Sequence, residues 1–287
     1  MAEGLLIILI NKATKLFGYF LTLKKEYIAD LKLGVITDTR DLSGKILIER
    51  KIESIDTGEV LKALDKFKGK IRQTPPAYSS VKYKGKPSYR FARKGQEVEL
   101  KPKTVNIYNL ELISFKEDLL RIKINCSSGT YIRSLAYDIG NLLGTGASLK
   151  ELKRTWINDY SLKDSIDVDG FIKCIFDNYE KRYLKSKPYV VSLKRLLGKM
   201  KNICIRNENR DSILNGWPVT PGMIEPGKTN DTDSFKKGSF VSIWDNSGNL
   251  LAIHEIIYKK ILQDVNNIKN EKLKLTKSII TFSNPVS

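Results

Sequence analysis

The sequence predicts an α+β fold with a small β-rich module towards its C-terminal end, and three observations carry that prediction. Leu119-Leu120-Arg121-Ile122-Lys123-Ile124-Asn125-Cys126 alternates like a half-buried strand, and Ser127-Ser128-Gly129 then breaks the alternation with a turn. Ile132, Leu135, Ala136, Ile139, Leu142 and Leu143 follow at helical spacing up to Gly144, so the unit is strand, tight turn, helix. Beyond Lys201 the texture changes to short strand-like runs with a hairpin turn, which read as a β-barrel-like module.

Taken in order, Gly4–Ile10 is an unbroken apolar run, read as a central strand covered on both faces. It is too short to span a bilayer and lacks the basic flank and cleavage site of a signal peptide. Ala13–Leu23 reads as a helix with Leu16, Phe17 and Phe20 on one side. Lys25–Gly34 alternates as a strand, with Tyr27, Ala29, Leu31 and Leu33 on one face. Thr37–Gly44 is a polar, turn-rich loop. Thr57–Phe67 is a helix that turns Val60, Leu61, Leu64 and Phe67 inward. Strands are expected over Thr104–Ile113 and Leu119–Cys126, and Thr130 is the expected N-cap of the helix that follows. Ala147–Trp156 reads as a short helix leading into a strand, and Phe171–Leu184 as a charged helix. In the last module, Ile203–Ile205 is a strand, Asn207–Asn215 starts a helix, and Gly238–Ile253 is a hairpin. Asn230–Ser234 is a polar loop, and the Lys/Asn-rich residues from Lys259 onward are expected to be frayed.

The chain has 287 residues and a net charge of +18, which favours a polyanionic partner, nucleic acid before membrane. Its three cysteines, Cys126, Cys174 and Cys204, form no C-x-x-C pair, which argues for reduced thiols in a cytoplasm and against a zinc site. His254, the single histidine, lies in a strand-like apolar run and reads as structural. Arg133 falls in the first turn of the central helix, where a cation opposes the helix dipole; an anion, carboxylate or phosphate, would hold it there.

The charge is concentrated. Between Lys82 and Lys103 there are eight basic residues against two acidic ones, and Tyr78, Tyr83, Tyr89 and Phe91 interleave with them. Basic groups track phosphates and aromatic rings stack on unpaired bases, so the segment reads as an RNA contact projecting from the fold.

Three stretches together resemble the bacterial tRNA pseudouridine-55 synthase family, the TruB type. They are Gln73-Thr74-Pro75-Pro76-Ala77-Tyr78-Ser79-Ser80-Val81-Lys82 with Gly85, Tyr89, Ala92, Arg93 and Gly95 after it; Cys126-x-x-Gly129-Thr130-Tyr131-Ile132-Arg133; and Leu152-Lys153-Arg154-Thr155. Lys25-x-Tyr27 and Gly34-x-x-Thr37-Asp38-Thr39 are similar too. The resemblance implies a mixed-sheet synthase catalytic domain over residues 1–200, a PUA-type RNA-binding domain over 201–260 and a disordered basic tail over 261–287. It implies conversion of a T-loop uridine in tRNA to pseudouridine, with no cofactor, no metal, no membrane and no obligate protein partner, by a cytoplasmic monomer. Carried over by motif, Arg133 pairs with the nucleophilic Asp, Tyr27 stacks on the target base, and Leu152 packs beneath the site. Lys82, Lys84, Lys86, Tyr78, Arg90, Arg93, Lys94 and Arg154 are the expected RNA contacts.

The family's Asp stands in a Gly-x-Leu-Asp-Pro-x-Ala-x-Gly-x-Leu motif. Here Met1-Ala2-Glu3-Gly4-Leu5-Leu6 matches the end of that motif, which puts the Asp and Pro immediately before Met1 and the catalytic domain's N-terminal part outside the sequence. The 287 residues alone are therefore expected to be inactive. The alternative is a nucleophile-free protein that binds or helps to fold tRNA.

Overall fold

The strand face expected from Tyr27, Ala29, Leu31 and Leu33 lies in a core with Leu120, Ile122, Ile124 and Cys126 of the neighbouring strand. In the computed structural model, which describes residues 2–52, 55–177, 189–197, 200–229, 236–257 and 273–286, the chain divides into two units. One comprises Met1–Ile8 with Phe20–Ser165, the other Leu9–Tyr19 with Ile166–Ser287, so the division falls ahead of the expected boundary at residue 200.

The first unit is built on a mixed sheet. Its elements are β1 (Ala2–Gly4), β2 (Lys25–Leu33), β3 (Val35–Thr37), β4 (Ile46–Glu49), α2 (Thr57–Asp65), β5 (Gly69–Gln73), β6 (Lys82–Tyr83), β7 (Lys86–Pro87), α3 (Tyr89–Ala92), β8 (Lys103–Lys116), β9 (Leu119–Cys126), α4 (Ile132–Leu142), β10 (Ala147–Ile157) and β11 (Tyr160–Ser161), with α1 (Phe17–Thr22) crossing between units. The strand order is β1-β10-β2-β9-β8-β5, with β11 on β10. β1 pairs parallel to β10, and the other pairings are antiparallel. α2 starts where the Asp56 carboxylate accepts from the Gly58 N–H at 2.9 Å. It buries Val60, Ala63 and Leu64, whereas Leu61, expected inside, is 46% exposed.

α4 buries Ile132, Leu135, Ala136 and Ile139 against the sheet. Each such side chain contributes roughly 1.5–3 kcal/mol, and Leu135→Ala would forfeit about 2–5 kcal/mol. The helix runs so close to the start of β10 that a Cβ on Gly140 would overlap the backbone at Gly146 and Ala147, 2.3 and 2.2 Å away. The Gly140 carbonyl instead accepts from the Thr145 and Gly146 N–H groups.

Four expectations are corrected. Ala147–Trp156 is strand throughout: placed between β1 and β2, its backbone is used by partners on both sides. The opening apolar run is not a central strand. Ala2–Gly4 pairs at the sheet's edge and the Leu5 N–H adds one more bond to the Arg154 carbonyl, but Leu6, Ile8 and Ile10 are 67–75% exposed. Thr130 does not cap α4; its hydroxyl donates to the Ser127 carbonyl at 2.9 Å, and the Tyr131 N–H at the helix start donates to Gln73 Oε1 at 2.8 Å. Part of the expected tail is strand, as follows.

The second unit contains α5 (Val168–Asp177), α6 (Leu193–Leu197), β12 (Asn202–Ile205), α7 (Arg210–Leu214), β13 (Phe240–Asp245), β14 (Leu250–Ile256) and β15 (Thr276–Val286). Its sheet runs β12-β13-β14-β15 and buries Ile203, Ile205, Val241, Ile243, Leu251 and Ile256. β15 pairs antiparallel with β14 and so belongs to the module rather than to a disordered tail. His254 is fully buried there, its Nδ1 2.7 Å from Thr276 Oγ1, and burial lowers its pKa to about 4. The expected polar loop Asn230–Ser234 lies outside the described residues.

Candidate active site and RNA-facing segment

Arg133 finds its anion within the described chain. Its Nη1 donates to Asp41 Oδ2 at 3.0 Å and to the Thr39 carbonyl at 3.1 Å, and its Nη2 donates to the Tyr78 carbonyl at 2.8 Å. The pair is about three-quarters buried, with Arg133 26% and Asp41 24% exposed in their side chains. Asp41 is itself held by three donors: the Thr39 hydroxyl at 2.9 Å, the Ser43 N–H at 3.1 Å and the Ser43 hydroxyl. Burial pushes the Asp41 carboxyl up, but the Ser43 and Thr39 hydrogen bonds and the Arg133 charge outweigh it and hold it below the ordinary carboxylate value.

The loop that carries Asp41 is fixed from both sides. Arg40 adopts a left-handed backbone (φ 61°) and leaves its carbonyl for the Leu149 N–H, while the Leu42 N–H donates to the Leu149 carbonyl. The Arg40 guanidinium donates to Ser134 Oγ at 2.8 Å and to the Thr74 carbonyl at 3.2 Å, and it stacks 4.5 Å from the Tyr137 ring. Ser134 Oγ also donates to the Thr74 carbonyl at 2.8 Å. The loop and the Gln73–Tyr78 segment are thereby both pinned to the first two turns of α4.

β10 is the ruler of the site. Leu149 bridges to Asp41, Leu152 lies opposite Ala29 of β2 and Ala2 of β1, and Arg154 lies opposite Tyr27. At about 3.3 Å per residue, these positions fall within roughly 17 Å of strand. Tyr27 is half-buried; burial and the neighbouring Cys126 raise its phenol pKa, and Arg154 opposes that shift. Leu152 packs against the main core. Arg154, expected among the RNA contacts, donates through Nε to the Leu5 carbonyl at 2.7 Å and lies opposite Tyr27 in the strand register.

Lys82, Lys84, Lys86, Arg90, Arg93 and Lys94 are all exposed on the β6–β7 hairpin, α3 and the turn after it. Lys84 (φ 46°) and Gly85 (φ 80°) make the tight turn. The hairpin rests on two buried serines: Ser88 Oγ donates to the Ser79 carbonyl at 2.9 Å, and the Ser88 N–H donates to the Val81 carbonyl at 2.8 Å. Its aromatics are largely engaged with one another and with cations. Tyr83 and Phe91 pack edge to face at 5.4 Å, and Arg93 lies 5.2 Å from the Tyr89 ring. Tyr78 is tied into the site: its hydroxyl donates to Asp38 Oδ2 at 3.3 Å and its carbonyl accepts from Arg133.

Asp41 was not legible as a site residue, because 92 residues separate it from Arg133. The available signal was an Asp flanked by Thr39 and Ser43 in a turn-rich loop, together with an Arg that needed an anion.

A part-buried Arg133 thus stands on a strand–turn–helix of the mixed sheet, and an exposed cationic hairpin follows the Tyr78 segment that holds it. Residues 1–132 match the model of the TruB family pseudouridylate synthase N-terminal domain, and residues 133–197 match the tRNA pseudouridylate synthase B C-terminal domain. The chain belongs to the TruB family. The tRNA pseudouridine synthase B of Clostridium tetani is 41% identical over 234 residues, which cover 75% of this chain and 81% of that protein. That of Thermotoga maritima is 33% identical over 254 residues, 88% of this chain and 77% of the relative. A solved Cbf5-Nop10-Gar1 complex contains a chain of similar fold, at 20% identity and a TM-score of 0.64, covering 95% of this chain and 71% of that one.

Proposed function

We propose that this protein acts on tRNA, isomerising the T-loop uridine at position 55 to pseudouridine. The observation that carries the reading is Tyr78, whose carbonyl fixes Arg133 and whose segment leads directly into the exposed cations from Lys82 to Lys94. Chemistry and phosphate contact are thus joined through one short stretch of backbone. The uridine leaves its stack to reach the site. The N1–C1′ bond breaks, the uracil turns, C5 bonds to C1′, and a proton leaves C5 as N1 gains one. The balance is an isomerisation and needs no cofactor, metal or protein partner; the protein works as a cytoplasmic monomer in this reading.

Arg133 orients the carboxylate chemistry, Tyr27 meets the base as a neutral phenol, and Leu152 supports the pocket floor. The nucleophile is the Asp of the Gly-x-Leu-Asp-Pro motif, and none of the Asp residues among the 287 stands in that motif. β1 sets Ala2 opposite Leu152. Positioning alone does not replace a covalent nucleophile, and the 287 residues alone are expected to form no pseudouridine.

The test is pseudouridine formation on a T-arm stem-loop by the 287-residue chain and by a version carrying Gly-x-Leu-Asp-Pro ahead of Met1. Product from the longer version only is the expected result. The ion pair of Arg133 with Asp41 favours a second reading, a tRNA binder whose site Arg is already neutralised. Salt-sensitive tRNA binding by both versions without product from either would establish it.

A further inference from the structure

Helix α4 carries Arg133 into the site, yet its own sequence does not cap it. Tyr131 stands at the N-cap position with an extended backbone (φ −96°, ψ 104°), and its side chain accepts from no helix N–H. Thr130 turns its hydroxyl back to the Ser127 carbonyl. The group that fixes the helix start comes from 58 residues away: Gln73 Oε1 accepts from the Tyr131 N–H at 2.8 Å.

Gln73 is the last residue of β5, opposite Lys103 of β8, and is 2% exposed. The Tyr131 N–H needs an oxygen, which orients the amide. The Nε2 at its other end has no partner among the described residues. Oxygen is therefore the working end of this side chain, and a carboxylate would offer it equally well. The next residue extends the grip. The Thr74 carbonyl accepts from Ser134 Oγ at 2.8 Å, and Ser134 is fully buried. Residues 73 and 74 thus hold α4 on both sides of Arg133, at positions 131 and 134. Pro75 and Pro76, both buried and fixed in φ, lead on to Tyr78, whose carbonyl accepts from Arg133 Nη2. One short segment sets the helix start and receives the guanidinium that the helix presents. Arg133 meets Asp41 at the end of a long side chain, so a small rotation of the first turn would open that 3.0 Å contact.

We propose that Gln73 is a positioning residue: by capping α4 from β5 it aims Arg133 at Asp41 and Tyr78. Its effect on catalysis rests on the pseudouridine reading; its aiming of Arg133 does not.

Three substitutions separate the roles of the side chain. Gln73→Met keeps the volume and removes the oxygen, Gln73→Asn draws the amide back by one methylene, and Gln73→Glu leaves an oxygen in place. The first measurement is urea unfolding of the 287-residue chain with Arg133→Ala, Asp41→Ala and both, in each background. The non-additivity of that pair should vanish with Gln73→Met and persist with Gln73→Glu; where Gln73→Met does not fold, Gln73→Asn carries the cycle. A residue that merely stabilised the fold would lower every midpoint and leave the non-additivity intact. The second measurement is pseudouridine formation on a T-arm stem-loop by the version carrying Gly-x-Leu-Asp-Pro. Gln73→Met should lower kcat on the order of 10–100-fold with KM held within about twofold, and Gln73→Glu should restore most of the rate. Non-additivity that survives loss of the oxygen, that disappears equally with Gln73→Glu, or that is absent from the natural chain would overturn the proposal, as would an unchanged kcat. If the longer version with Gln73 intact forms no pseudouridine, the tRNA reading falls and the unfolding cycle alone decides this one.

Discussion

The loop Thr37–Gly44 and the hairpin Lys82–Pro87 belong to the same unit, yet they handle charge in opposite ways. In the loop, Asp41 has Arg133 and three further donors. In the hairpin, Lys82, Lys84 and Lys86 stand in solvent with no ion-pair partner among the described residues. Paired charge fixes geometry, and unpaired charge stays available to a ligand. The molecule separates the two duties by a few residues: Tyr78, fixed by Arg133, is the boundary between them.

The largest effect should come from breaking the paired side. Asp41→Ala and Arg133→Ala should each cost about 2 kcal/mol in urea unfolding, because each leaves a part-buried charged partner unmatched. The double variant should cost less than the sum by on the order of 1 kcal/mol. Simple additivity would show that the pair is incidental.

Acid sharpens the same contrast at smaller scale. The folded Asp41 carboxyl sits below its ordinary value, so its stabilisation is present above about pH 4, the unfolded value, and fades as pH falls through the lower folded value. The stability gap between the natural chain and Asp41→Asn should therefore shrink on acidification. A gap that widens would mean the shift has the opposite sign.

The smallest effect on stability should come from the unpaired side. Lys82→Ala, Lys84→Ala and Lys86→Ala together should change the free energy of urea unfolding by no more than about 0.5 kcal/mol. The same triple change should lower the log–log salt slope of T-arm binding by about 2–3. A destabilised triple variant with an unchanged salt slope would reverse the assignment of duties.

Much of this arrangement was legible in the sequence, and the misreadings have physical causes. Alternation located β2, β8 and β9 because each has one face on the core. β10 was misread as partly helical because Leu149, Leu152 and Trp156 are spaced like a helix face, and only tertiary pairing on both edges decides for strand. The apolar run after Gly4 announced what it could bury and not what lay beside it. Arg133 could be read as needing an anion from its place in the helix, but which carboxylate supplied it was a matter of long-range folding. The β15 strand was hidden by a Lys/Asn-rich approach that looked like a tail.

Gly140 has a hereditary consequence. Every glycine codon becomes an alanine codon by one base change in its second position, and alanine is ordinarily the mildest of replacements in a helix. At this position the added methyl has no room before the backbone at Gly146 and Ala147. One point mutation, conservative on any substitution scale, would therefore wedge α4 away from β10 and displace the strand that carries Leu152 and Arg154. Lineages that carry this gene should tolerate turnover among the hairpin lysines long before they tolerate that methyl.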